Sequence, residues 1–234
     1  MRNVILKLTE KLGLTVHKSK NLYFHAAGID CYYFLRQYYS NKTWHTIIDA
    51  GANIGQTALK FSRYFPTATI YSFEPVSATY AELKKATQGN QKIKIHHEAL
   101  GVEPSELEIA LFEESQTNSL KVDSERKEAV KVTNLDLFAS ENGITHIDLL
   151  KSDTEGYELE VLAGAKRLLD SQAIDFIYVE VCFSRHDLTK VFYQDITNYL
   201  DGHQYHFIGF FEPQYHPENG YANALFAARK LLKE

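Results

Sequence analysis

Asp49, Glu74 and the group Lys151, Asp153 and Glu155 each close an apolar run of the chain. Charges at such positions are costly unless they pair or meet a ligand. Asp49 opens a glycine turn, Asp49-Ala50-Gly51-Ala52-Asn53-Ile54-Gly55. Gly51 and Gly55 let the backbone turn tightly and approach a ligand, and Asn53 tolerates the left-handed conformation such a turn demands. The spacing is not the G-x-G-x-x-G of a pyrophosphate site. A carboxylate two residues before the first glycine repels a pyrophosphate and suits a cation. Glu74 follows 23 residues after Gly51, near the offset of about 20 at which an acid accepts hydrogen bonds from a ribose diol. Lys151, Asp153 and Glu155 are two apart, so on extended backbone they share one face.

A ribose acceptor combined with a site that prefers positive charge fits S-adenosylmethionine, whose amino group and sulfonium are cationic. Asp49 and Gly51 are expected near its methionine part, Ala52, Asn53 and Gly55 in the turn, and Glu74 on the ribose hydroxyls. Glu98 or Ala99, at the end of the third strand, stands where the adenine amino group would be read. Asp153 is the candidate to take a proton from an acceptor hydroxyl. Alternatively it holds a divalent cation such as Mg²⁺, with Glu180 or Glu155 as further oxygen ligands. Lys151 then neutralises Asp153 or Glu180, and a purely structural ion-pair network is the competing reading. His186, just beyond the strand ending at Cys182, is placed to act as a base or substrate contact, though a histidine in a loop commonly does neither. No transition-metal spacing occurs.

These residues require parallel strands with their carboxyl ends gathered at one crevice. The runs "TIIDA", "IDLLKSD" and "FIYVEV" are nearly continuous apolar runs ending in an acid, the pattern of parallel strands covered on both faces. The expected strands are Thr46–Ala50, Thr69–Glu74, Lys92–Glu98, Ile147–Asp153, Phe176–Cys182, Tyr205–Phe211 and Ala222–Ala228. The expected helices are Gln56–Tyr64, Ala78–Thr87, Leu135–Glu141, Glu158–Leu169 and Leu188–Leu200. Alternation of this kind predicts an α/β, doubly wound Rossmann-type sheet, ending in a hairpin whose last strand is antiparallel and closes the edge. Residues 46–234 form this domain. Residues 101–134 break its rhythm and read as an insertion, either a flap over the site or a surface loop. Residues 1–45 read as a helical, aromatic segment: Val4, Ile5, Leu8 and Leu12 lie at helical spacing before Gly13, and Asp30 is the N-cap of a second helix through "CYYFLRQYY". Its tyrosines suit a substrate lid, or they pack the segment onto the sheet.

Composition narrows the classes. With 234 residues, 44% of them hydrophobic, the chain can bury a large core, and its net charge of −5 argues against general nucleic-acid binding. No run of 18 apolar residues is present, so no membrane span is expected, although residues 4–12 could lie against a membrane surface. Lys7, Glu10 and Lys11 interrupt the apolar start, so it does not read as a signal peptide. Two cysteines, Cys31 and Cys182, make no disulfide framework. The cytoplasm is the expected location.

The stretches "IDAGANIGQTA" (48–58), "SFEP" (72–75), "HEALG" (97–101), "NSL" (118–120), "TNLDLF" (133–138), "LLKSDTEGYELEVLAGA" (149–165) and "VEV" (179–181) together resemble the FkbM-type S-adenosylmethionine-dependent methyltransferases, over about residues 46–181. Thr154 stands where that family often has a hydrophobic residue. The resemblance implies a class I methyltransferase-like fold with seven strands and a reversed last strand. It also implies methyl transfer, most often to a hydroxyl oxygen of a sugar, glycan intermediate or natural product. N-methylation and a non-catalytic scaffold that kept the fold are the alternatives. A nicotinamide oxidoreductase is disfavoured by Asp49 and the glycine spacing.

Overall fold

In the computed structural model, residues 30–112, 118–121, 124–187, 189–216 and 220–232 are described. The helix expected over residues 4–12 lies outside them. Asp30 caps helix α1 (Cys31–Tyr38), its side chain accepting from the Tyr33 amide. Then follow β1 (Thr46–Ala50), α2 (Gln56–Tyr64), β2 (Thr69–Phe73), α3 (Ser77–Ala86), β3 (Ile93–His96), β4 (Ala99–Leu100), β5 (Ser105–Ala110), β6 (Lys127–Thr133), α4 (Leu135–Glu141), β7 (Ile147–Ser152), α5 (Glu158–Ala163), α6 (Lys166–Asp170), β8 (Ile174–Cys182), α7 (Tyr193–Gly202), β9 (Tyr205–Gln214) and β10 (Tyr221–Ala228).

The main sheet has seven strands in the order β3-β2-β1-β7-β8-β10-β9. Five neighbours pair in parallel from β3 to β8, and β10 runs antiparallel to both β8 and β9. The last strand is therefore reversed, as expected, but it inserts one place in from the edge. β9 is the edge strand instead. Order reverses between β1 and β7, which opens the crevice at their carboxyl ends.

Both sheet faces are covered because successive strand residues point to opposite sides. Ile47, Leu149, Phe176 and Leu225 pack with Leu35, Trp44, Phe61 and Phe65 from α1, α2 and their flanks. Ile48, Leu150, Ile177 and Phe226 pack with Leu162, Leu168, Ile196 and Leu200 from α5 to α7. Each such side chain contributes about 1.5–3 kcal/mol on full burial. At the amino ends of β7 and β8, Lys42 bridges Asp148 and Asp175 at 2.5 and 2.6 Å, and Asp148 also accepts from the His45 and Thr46 amides.

Two expected helices are cut differently. The run 158–169 divides into α5 and α6 because the Asp136 carboxylate accepts from the Arg167 and Leu168 amides and starts a new helix there. The helix expected from Leu188 begins at Tyr193. Residues before it instead run beside the end of β8, with the Cys182 amide donating to Val191 O at 2.9 Å and a bridge from Cys182 to Phe192. The 101–134 segment supplies β5 and β6, which join β4 in a second sheet of order β4-β6-β5.

Candidate active site

The crevice is floored by two tight connections. After β1, Gly51 and Ala52 both donate their amides to Phe73 O, at 3.1 and 2.9 Å. Gly51 (φ +78°), Asn53 (φ +47°) and Gly55 (φ +95°) carry the chain through left-handed conformations. After β7, the Asp153 amide donates to Ala50 O at 3.1 Å. A Cβ on Gly51 would lie 1.9 Å from Asp153 O, so the two connections meet where only glycine fits.

Glu74 fastens the first turn. Its Oε1 accepts from the Val76 amide at 3.0 Å and Thr79 Oγ1 at 2.7 Å, and its Oε2 accepts from the Asn53 amide at 2.9 Å. A carboxylate offers about four acceptor sites, so Oε2 keeps one, at the wall of a cavity of about 630 Å³. Burial raises the Glu74 carboxyl above its ordinary range despite these donors.

On the other wall, Lys151 Nζ lies 3.0 Å from Asp153 and 3.9 Å from Asp49. Burial pushes the Asp153 carboxyl upward, but the Lys151 ammonium outweighs it and holds Asp153 below the usual carboxylate range. Burial likewise opposes the charge on Lys151, and Asp153 and Asp49 overcome it, so Lys151 stays protonated. Carboxylate oxygens of Asp153, Glu155 and Glu180 lie within 4.8 Å of one another. Burial and the neighbouring Asp153 push Glu180 up to about 8 against the pull of Lys190. Glu155 does not reach this cluster by strand alternation, because β7 ends at Ser152. It turns in through a left-handed residue (φ +52°), tied by its carbonyl to Ser119 Oγ at 2.7 Å.

Of the residues singled out in the sequence, Gly51, Ala52, Asn53, Glu74, Ala99, Lys151, Asp153, Glu155 and Glu180 line the cavity. Four do not. Asp49 shares the sheet face of Ile47 and is fully buried beneath the floor, with Oδ2 accepting from Ser72 Oγ at 3.3 Å and Oδ1 without a hydrogen-bond partner. Burial pushes it up to about 6. Gly55 heads α2 against Leu83. Glu98 turns away beside His96, leaving Ala99 as the residue of that pair on the wall. His186 is exposed in the loop after β8, its amide donating to Ser184 Oγ. The insertion contributes Ile109, Phe112 and Asn118–Leu120 to the wall, whereas none of residues 30–45 lines it. In that segment Tyr32 and Phe34 pack against Phe61, Tyr178 and Phe211. A lid role finds no support in them.

Sequence reasoning passed over Lys190, Tyr221, Tyr157 and Glu158. Lys190, in "LTKVF", carries no motif. Glu158 offered one clue, as an acid in the first turn of a helix. It is buried, with Oε1 accepting from the Thr154 amide and hydroxyl and the Gly156 amide at 2.7, 3.1 and 3.3 Å, and Oε2 unpartnered. It thus holds the loop that presents Asp153 and Glu155. Burial pushes its carboxyl up to about 7. An acid raised in the folded state binds its proton more tightly there, so stability falls as pH rises from the unfolded value through 7. Glu158→Gln removes that loss. It is expected to be more stable than wild type at pH 8, by about 1–3 kcal/mol, and so to melt higher there, but no differently at pH 4.5. Calorimetric melts at the two pH values check this, and a lower melting point at pH 8 would contradict it.

A seven-stranded sheet of this order with a reversed last strand, opening at its switch point on a glycine turn and an acid at the next strand's end, defines the class I methyltransferase fold. The chain belongs to the family described as the methyltransferase FkbM domain, which matches residues 49–207. It is 32% identical over 168 residues to Methyltransferase 1 of Beauveria bassiana (strain ARSEF 2860), covering 60% of this chain and 66% of that protein. It is 27% identical over 152 residues to the 2-O-methyltransferase NoeI of Sinorhizobium fredii (strain NBRC 101917 / NGR234), covering 57% and 62%. The chain thus spans less than two thirds of the length of these relatives. Among solved structures, a Clostridium thermocellum protein described as an rRNA-methylase matches with a TM-score of 0.50 at 7% identity, over 92% of this chain and 99% of that chain. That likeness is one of fold alone.

Proposed function

We propose that the protein transfers a methyl group from S-adenosylmethionine to a hydroxyl oxygen of a small carbohydrate or natural-product acceptor. The observation that carries this is Glu74. A buried carboxylate, braced by three protein donors, keeps one acceptor site at the wall of a cavity whose other side holds an ionised aspartate. The cavity falls within the range of about 300–1,000 Å³ usual for small-molecule sites. Glu74 would hold the ribose, Gly51, Ala52 and Asn53 would approach the donor through the backbone, and Ala99 would border the adenine. When bound, the donor supplies a methyl carbon already activated by its sulfonium.

What an alcohol lacks is nucleophilicity. Asp153 is 35% exposed at its side chain and accepts the acceptor's hydroxyl hydrogen, then its proton, as the new bond forms. Lys151 keeps that carboxylate ionised and aimed. Glu180 is a stronger base but lies beneath Lys190, its side chain only 11% exposed. Asp153 therefore meets the substrate. The 2-O-methyltransferase name of one relative supports oxygen as the atom methylated. Acids outnumber lysines around the crevice, which disfavours a phosphate-rich acceptor and so nucleic acid. No helix among the described residues is long and apolar enough to cross a membrane. Both cysteines are free and buried, in keeping with a reducing compartment, and we place the reaction in the cytoplasm.

Mg²⁺ does not fit the carboxylate cluster as folded. Lys190 already binds Glu155 and Glu180.

Calorimetry with S-adenosylhomocysteine tests the donor site. Wild type is expected to bind, and Glu74→Gln to bind about 10–100-fold more weakly, the worth of a charge-assisted hydrogen bond. Because the Glu74 carboxyl sits above its ordinary range, wild-type affinity should fall as pH drops, starting at a higher pH than for an ordinary glutamate. An unchanged affinity in Glu74→Gln would remove the observation on which the reading stands.

A further inference from the structure

We infer that Lys190 is a built-in counter-cation of the acceptor side, holding Glu155 and Glu180 together where a divalent metal ion would otherwise bridge them. The inference rests on the methyl-transfer reading only for the words "acceptor side"; the geometry stands without it.

Lys190 Nζ lies 3.1 Å from Glu155 Oε2 and donates a hydrogen bond to Glu180 Oε2. Its side chain is 15% exposed, and the Tyr221 ring lies 5.0 Å from the ammonium. The backbone that carries it is pinned. The Cys182 amide holds Val191 O, and Cys182 Sγ points at Lys190 O, 3.5 Å away. Glu155 is fixed from the other side through the Ser119 contact to its carbonyl, with Glu158 gripping the residues on either side of it.

Three carboxylates with oxygens inside 4.8 Å repel unless a cation lies among them, and here two lysine ammoniums supply it, Lys151 on Asp153 and Lys190 on the two glutamates. A divalent ion entering the same space would need several oxygen ligands at about 2.0–2.6 Å and would stand against a buried ammonium. The chain uses the same device at the far end of the same strands. There His146, Asp148 and Asp175 also come within metal-binding distance of one another, and Lys42 bridges the two aspartates. Lys190 acts as a positioning residue. It keeps Glu155 and Glu180 together beside Asp153 without metal dependence.

The test is Mn²⁺ binding followed by electron paramagnetic resonance, on the full chain of wild type, Glu180→Gln, Lys190→Ala and Lys190→Ala/Glu180→Gln. Wild type is expected to show no stoichiometric Mn²⁺ site. Removing the ammonium leaves Glu155 and Glu180 without their cation beside Asp153, so Lys190→Ala should bind one Mn²⁺ at least tenfold more tightly than wild type. The added Glu180→Gln should abolish the gain. If Lys190→Ala does not fold, as judged by its melt, Lys190→Met keeps the bulk and serves in its place. Either of two results overturns the inference: one tight Mn²⁺ in wild type that Glu180→Gln removes, or a lysine variant that gains no affinity. S-adenosylhomocysteine binding measured on the same samples reports on the methyl-transfer reading separately, since that reading can fail while the Mn²⁺ result holds.

Discussion

Gly51→Ala is expected to lower stability by about 2–5 kcal/mol and to abolish binding of S-adenosylhomocysteine. Two costs add. Gly51 sits at φ +78°, where a Cβ costs about 1–2 kcal/mol. That Cβ would also stand 1.9 Å from Asp153 O, a backbone atom held by its own amide's bond to Ala50 O. It cannot move aside as a flexible side chain would, and overpacking at a rigid contact costs about 1–3 kcal/mol more. The turns after β1 and β7 would be forced apart, carrying Asn53 from Glu74 on one side and Asp153 from Lys151 on the other. For a domain of this size each kcal/mol shifts the melting temperature by about 2–4 °C, so a thermal melt alone resolves the effect. A variant that melts like wild type and still binds ligand would show that the two turns do not meet as described. Gly89 is the internal control. Its φ is +85° but nothing lies within 4 Å of its Cβ position, so Gly89→Ala carries only the conformational cost and should leave ligand binding intact.

Asp153→Asn is expected to lower kcat by about 100-fold or more, the range seen when a positioned general base is lost, while S-adenosylhomocysteine affinity changes by less than about fivefold. The acceptor for this assay is found by following a labelled methyl group from donor to candidate sugars and hydroxylated natural products. Asparagine keeps the shape and an oxygen for Lys151 but has no lone pair basic enough to take a proton. Because Lys151 holds the Asp153 carboxyl below its usual range, the wild-type rate should show no loss attributable to this group until the pH falls below about 4, the ordinary aspartate value. A parallel fall in kcat and donor affinity would transfer Asp153 from proton acceptance to binding. An undiminished kcat would leave orientation alone to account for the rate.

The features legible in the chain are those written by local rules. Continuous apolar runs gave β1, β7 and β8 their places, and an acid ending each run marked the crevice. The glycine spacing anticipated the left-handed Asn53, and Asp30 capped the helix it was expected to cap. The boundaries of α2 and α4 fall where periodicity set them. Errors arose where a distant group intervened. Asp136 split the run 158–169 by capping α6 across 31 residues of sequence. The pairing of residues 191–192 with the end of β8 delayed α7. The hairpin of β9 and β10 was visible, but which of the two strands lies at the edge depends on which one β8 accepts.

The site divides the same way. Residue types and a period of two already determined that acids crown parallel strands beside a glycine turn, because strand ends and turns are decided within a few neighbours. Whether each acid is an open ligand, a buried brace or half of an ion pair was decided only by the tertiary structure. Asp49 sinks beneath the floor because its strand face is covered by α1 and α2. Glu74 and Glu158 each accept from two backbone amides and a threonine hydroxyl. Lys190 meets Glu155 and Glu180 because the chain after β8 doubles back along it. Charges act through space over a few ångströms, and the distances that set them come from which segments the fold packs together.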